Sequence, residues 1–257
     1  MKNLVKMFGA LLLVASTAWA ADNSIYIDQA GSSSTIDLKQ DGSANKIYGV
    51  GDSEGTAATF TGGSQTIDIR QIGASNLLGI DADTDVVSGV GVDLTYIITG
   101  SNSVASIDIN GDGLGVAANN TIDIRQTGSY NDLMLDLLGT GNNLTATATG
   151  GDYNDFSFTI DADATTVNTA ISGGGGNTTT LVLGTDKATV DITAVGASNT
   201  ISLTQSGAGD ATNGMNFDLD INGSSNSVTT TQSGSQYNDV DVNITGSSNT
   251  WSITQED

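Results

Sequence analysis

One run in this sequence is spaced like a metal site. Asp108-x-Asn110-x-Asp112-Gly113 places oxygen ligands at alternate positions with a glycine behind them, as at the start of an EF-hand calcium loop. The chelating glutamate due at the twelfth position is replaced by Asn119, and no flanking helix is expected. Calcium is therefore the one cofactor the sequence suggests, and a polar turn is the competing reading. Asp81, Asp83 and Asp85, and Asp161 with Asp163, are acidic clusters where the surrounding pattern breaks, and they read as solvated loops. The chain has no His and no Cys, which excludes Cys/His zinc sites, cysteine nucleophiles and Ser-His-Asp triads. None of the 29 acids stands out as half of a glycosidase pair, and the chain reads as a non-enzyme. Thr178-Thr-Thr180, Thr145-x-Thr147-x-Thr149 and Thr229-Thr-Thr231 raise the idea of an ice-binding face, but their spacing along the sequence gives no regular stack.

The most regular spacing belongs to amides, whose chemistry is hydrogen bonding rather than catalysis. Asn-x5-Gln occurs at Asn23/Gln29, Asn120/Gln126, Asn199/Gln205, Asn226/Gln232 and Asn249/Gln255. Gln65/Gln71 and Ser34/Gln40 keep the spacing with another first residue. Gln-x-Gly follows at Gly31, Gly42, Gly73, Gly128, Gly207 and Gly234, and a second asparagine comes three positions later at Asn45, Asn76 and Asn131. Between the amides, apolar residues alternate with polar ones. In Asn120-Thr-Ile-Asp-Ile-Arg-Gln126 the residues Asn120, Ile122, Ile124 and Gln126 share one side of an extended strand, and Thr121, Asp123 and Arg125 share the other. Asp37, Asp68 and Asp123 hold the same outward place in three such strands.

The elements that position these residues are strand–turn–strand units recurring roughly every 11–12 residues, as from Gln29 to Gln40. A pair of units makes a turn of ~22–23 residues. The expected fold is an all-β solenoid with two strands per rung, rungs ~4.8 Å apart, irregular loops inserted, and amides stacked as ladders. A half-buried amide is costly alone and satisfied in a stack, which explains why amides close the strands. Residues 49–63 and 161–176 are expected as loops, the second ending in the flexible run Gly173-Gly-Gly-Gly176. Ile107 and Ile109 follow Val104 out of phase, so a bulge is expected there.

Lys2 and Lys6, the apolar run Met7 to Val14, and Ala18-Trp19-Ala20 read as a secretory signal peptide over residues 1–20, leaving residues 21–257 as the repeat domain. Nothing after it could span a bilayer as a helix. Five basic side chains against 29 acids leave a mature charge of −24, which speaks against nucleic acid and anionic membranes as partners.

Ser34-x5-Gln40-x-Gly42-x2-Asn45 and Asn120-x5-Gln126-x-Gly128-x2-Asn131 resemble the repeat of the curlins, the secreted subunits of bacterial curli fibres. The resemblance runs through residues 23–48, 65–80, 120–144 and 199–255. It implies an extracellular functional amyloid of the biofilm matrix, with self-association into fibres, export through an outer-membrane pore and nucleation by a partner subunit. The chain departs from a simple curlin in its inserted loops, its units without glutamine and its acidity. Two functional readings follow: a structural subunit that polymerises by adding rungs end to end, or a monomeric solenoid adhesin or binding module.

Overall fold

Period-two alternation, β-branched side chains and the absence of proline dictate extended strands, and strands are what form. The computed structural model describes residues 23–30, 33–42, 45–48, 58–61, 64–73, 76–84, 91–100, 104–111, 119–130, 132–138, 141–161, 165–184, 188–206, 215–234 and 239–256. Among them there is no helix. Twelve strands make one sheet and nine make the other, and from Gln65 onward successive strands alternate between the two. Every pairing joins parallel strands, as when Thr121–Thr127 lies between Val92–Thr99 and Asn143–Thr149. This is a β-solenoid with two strands per turn.

The turn length is visible in the register. Asn120 and Asn142, one above the other, are 22 residues apart, and Asn154 and Asn177 are 23 residues apart. The turns from Gln65 to Val92, from Val92 to Asn120 and from Thr189 to Asn216 are longer, the second of them spanning 28 residues. Each long turn contains a segment outside the described residues, namely 85–90, 112–118 and 207–214. Insertions thus leave the ladder register intact.

The inward residues of both sheets meet in one apolar core. It includes Leu38, Ile67, Ile69, Leu94, Ile122, Ile124, Leu133, Leu135, Phe156, Phe158, Ile192, Phe217 and Leu219. Phe156 and Phe158 stack within it at 5.6 Å between centroids. Ala146 and Ala148 lie over Ile124 and Gln126 in the register and keep the inward set of their strand small.

Several sequence expectations fail. Residues 166–172 are a regular strand, Thr166–Ser172, with Val167, Thr169 and Ile171 buried. Thr165 and Thr169 occupy inward positions where the pattern calls for aliphatics, so the alternation is hidden. Gly173 to Gly176 is then a short turn between this strand and Thr178–Leu183, not a hinge. The bulge near Val104 is absent, since Val104–Gly111 is one strand with Ala105, Ile107 and Ile109 inward and Val104 38% exposed. Asp81 to Thr84 continue the Leu77–Thr84 strand rather than interrupting it. Within 49–63, Ala58–Thr61 is a strand; residues 49–57, 62 and 63 lie outside the described residues.

Thr179 is fully buried between Phe156 and Ile201 in the register, and its hydroxyl has no hydrogen-bond partner. Valine keeps the shape and removes the unsatisfied group, so Thr179→Val is expected to raise unfolding free energy by about 1 kcal/mol. Chemical denaturation of the two proteins checks this. A loss of stability would mean that the hydroxyl is satisfied in solution.

Candidate functional site

Hydrogen-bonding side chains concentrate at the strand ends, and the spacing Gln-x-Gly-x2-Asn acquires a physical meaning there. Gln40 Nε2 donates to the carbonyl of Lys46 at 2.8 Å, and Asn45 Nδ2 donates back to the carbonyl of Gln40 at 3.2 Å. The next unit repeats this clasp, from Gln71 to Leu77 and from Asn76 to Gln71, both at 3.4 Å. The two amides close one turn from both sides. Gly42, Gly73 and Gly128 take positive φ in these turns, and each donates its N–H to a carbonyl of the following rung. Gly234 N–H likewise donates to the Glu256 carbonyl at 3.0 Å.

A column of asparagines runs along one edge of the solenoid. Asn154 donates both its main-chain N–H and its Nδ2 to Asn177 Oδ1, at 2.9 and 3.2 Å. Asn177 does the same to Asn199, at 3.3 and 3.1 Å, and Asn226 to Asn249, at 2.9 and 3.3 Å. Asn199 N–H donates to Asn226 Oδ1 at 2.8 Å, which joins the two halves. Each asparagine therefore caps the main chain of the preceding rung. Asn120 belongs to a shorter column on the other sheet, accepting from Val92 N–H and donating its own N–H to Asn142 Oδ1. Asn142, Asn154 and Asn177 escape the glutamine-based spacing, because no glutamine closes their strands.

The glutamines form shorter stacks. Gln232 Nε2 donates to Gln205 at 2.5 Å, and Gln255 Nε2 to Gln232 at 3.1 Å. Gln71 Nε2 donates to Gln40 at 2.8 Å, and the next rung supplies a phenol instead of an amide: Tyr96 donates its hydroxyl to Gln71 Oε1. Burial holds the Tyr96 pKa well above its usual value, so the hydroxyl keeps its proton. Gln65 is buried at the start of its strand. Gln126 departs from the expected stack. Its register neighbours are Ile98 and Ala148, and both of its amide atoms are buried without a partner. Asn23 and Gln29 lie in strand backbone whose side chains are outside the described residues, as are Gly31, Asn131 and Gly207 entirely.

Of the three calcium candidates, two have a described backbone. Asp108 and Asn110 sit in the extended strand Val104–Gly111, paired on both sides, whereas a calcium loop must curl around its ion. Asp112 lies outside the described residues.

Acids line up on the outer face of the nine-stranded sheet. Asp37 pairs directly with Asp68, while Thr95 separates Asp68 from Asp123. Arg70 and Arg125 each bind the aspartate two positions back, Arg70 at 3.2 Å. Further along, Asp191, Asp218 and Asp241 stack without any basic neighbour in register. Partial desolvation, then Asp191, Asp220 and Asp241, raise the Asp218 pKa. A carboxyl that binds its proton more tightly when folded adds stability below its unfolded pKa and loses it as pH rises through the folded one. Asp218→Asn is thus expected to raise the melting temperature at neutral pH and to gain nothing below about pH 4. Melting curves at both pH values test this, and an equal gain at both would mean that charge is not the cause.

Among the described residues, nothing covers the C-terminal rung. Asp239–Thr245 and Thr250–Glu256 are the edge strands of their sheets. Their inward positions remain partly open: Val240, Val242 and Ile244 are only partly buried, and Trp251, in register with buried Val228, is 62% exposed. Asn249 and Gln255 end this rung with ladder amides. No protein-family model matches this chain, and neither does any curated protein or solved structure.

Proposed function

We propose that this chain is a secreted structural subunit that polymerises end to end into curli-like extracellular fibres serving matrix and adhesion. The observation that carries the reading is the uncovered rung. Unpaired strand edges with open apolar positions invite another strand pair. The pattern Asn249-x-Trp251-x-Ile253-x-Gln255 repeats Asn23-x-Ile25-x-Ile27-x-Gln29 at the start of the repeat domain, so a second copy's first strand suits the last rung of the first. Head-to-tail contacts of this type do not close and generate filaments. Export through an outer-membrane pore and nucleation by a partner belong to the same reading, by resemblance to curlins.

The test is direct. Purified full chain should form thioflavin-binding fibres with a cross-β reflection at about 4.7–4.8 Å. Ile253→Asp places a charge on the open end at a position only partly buried, so it should leave the monomer folded and lengthen the lag or abolish growth. Unchanged growth in Ile253→Asp excludes addition at this end. A chain that stays a sharp monomer on a sizing column, at every concentration tried, favours the monomeric binding module instead.

A further inference from the structure

The outer face of the twelve-stranded sheet changes character toward the C-terminus. In Thr178–Leu183, Thr200–Ser206, Ser227–Ser233 and Thr250–Glu256, thirteen of the fifteen outward positions are Thr or Ser, the exceptions being Val182 and Glu256. The register stacks them in columns: Thr180, Ser202, Thr229 and Ser252 form one, and Thr204, Thr231 and Thr254 continue Val182 in the next. The sequence hides this because the steps between these rungs differ, 22 residues from Asn177 to Asn199 and 27 residues from Asn199 to Asn226. Thr178, Thr180, Thr229 and Thr231 thus share one stacked face, whereas Thr145, Thr147 and Thr149 lie on the other sheet.

The other sheet at the same level is chemically opposite, carrying Asp191, Asp218, Asp220, Asp239 and Asp241. Acids amount to 29 in this chain, and Glu256 at the rim is the only one on the hydroxyl face. The missing charge removes ions, phosphates and nucleic acid as ligands of this face. No aromatic ring stands among its fifteen outward positions to stack on a sugar. Four strands ~4.8 Å apart, with side chains ~6.8 Å apart along each, give a patch of roughly 14 by 20 Å. That is well short of the ~800 Å² per partner of a stable protein interface.

What remains is a ligand that is itself a periodic array of donors and acceptors. Each hydroxyl donates once and accepts twice, and threonine adds a methyl and a stiff χ1 that hold the hydroxyls in fixed places. The two repeat distances lie near the oxygen spacings of a prism plane of ice. We infer that this Thr/Ser face binds ice, ordering water over its columns and adsorbing to the growing crystal. The inference is independent of fibre formation.

Nanolitre osmometry and ice shaping on freshly purified full chain test it. Wild type should facet ice and show thermal hysteresis. Thr204→Tyr and Thr229→Tyr, exposed strand positions where tyrosine is well tolerated, should bring the hysteresis to the buffer baseline. Asn243→Tyr, on the acidic sheet, should leave it unchanged. Circular dichroism and unfolding midpoints verify that all three variants fold. Wild type without hysteresis overturns the inference, as does hysteresis that survives both face substitutions. Binding to microcrystalline cellulose without ice shaping also overturns it, in favour of a polysaccharide surface.

Discussion

Gly196→Ala is expected to cost about 3–5 kcal/mol of stability, far more than one methyl group would suggest. The turns of this solenoid stack backbone on backbone: Gly196 donates its N–H to the Asn222 carbonyl at 3.0 Å, while on its other side a Cβ would fall 2.2 Å from the Gly174 carbonyl oxygen. A second main-chain oxygen, of Gly173, lies at 2.9 Å, and φ is +135°, a region that side chains rarely adopt. Neither obstacle is the end of a flexible side chain, so relief requires moving a rung. Gly150→Ala is the control. Its φ of +69° is also left-handed, but a Cβ there meets nothing within 4 Å. Only the backbone penalty remains, about 1–2 kcal/mol. Chemical denaturation of both variants measures the difference. Equal losses would mean that stacked turns move apart at little cost.

The second expectation sets two buried amides against each other. Asn177→Ala removes the oxygen that accepts both the main-chain N–H and the Nδ2 of Asn154, and the Nδ2 that donates to Asn199. All three asparagines are at most 3% exposed, so water does not replace the lost partners. A loss of about 3 kcal/mol follows. Gln126→Leu should go the other way. Both Gln126 amide atoms are buried without a partner, and leucine fills similar space without needing one, for a gain of about 1–2 kcal/mol. Changes in unfolding free energy of opposite sign, relative to wild type, would establish that a stacked partner, not the amide itself, is what stabilises. Destabilisation by Gln126→Leu matching that of Asn177→Ala would show that Gln126 has partners in solution.

Both expectations bear on assembly. The Asn column ends at Asn249 on the open rung, and the Gln stack ends at Gln255 at the other end of the same strand. If subunits add there, the same bonds that hold rungs within the chain hold rungs between chains. The Asp191–Asp218–Asp241 stack opposes that addition at neutral pH, since each further acid in register adds repulsion.

The sequence alone determined the secondary structure, the two-strand rung and the inward set wherever aliphatics and amides mark it. Asn120, Ile122, Ile124 and Gln126 are buried as their parity requires, because alternation is a local property of an extended chain. Where inward positions carry threonine, as at Thr165 and Thr169, parity loses its signal, and only the packing of the strand between its neighbours decides which face is buried. Stacking partners are another matter. What lies above and below Gln126 depends on how much chain the intervening turns consume, and unequal turns bring Ile98 and Ala148 there instead of amides. The same inequality aligns Thr204, Thr231 and Thr254 into a column that no fixed period in the sequence reveals. Local alternation is written residue by residue, whereas register is set by the hydrogen-bonded ladder, which tolerates insertions outside it; that is why the tertiary structure alone decided which side chains stack.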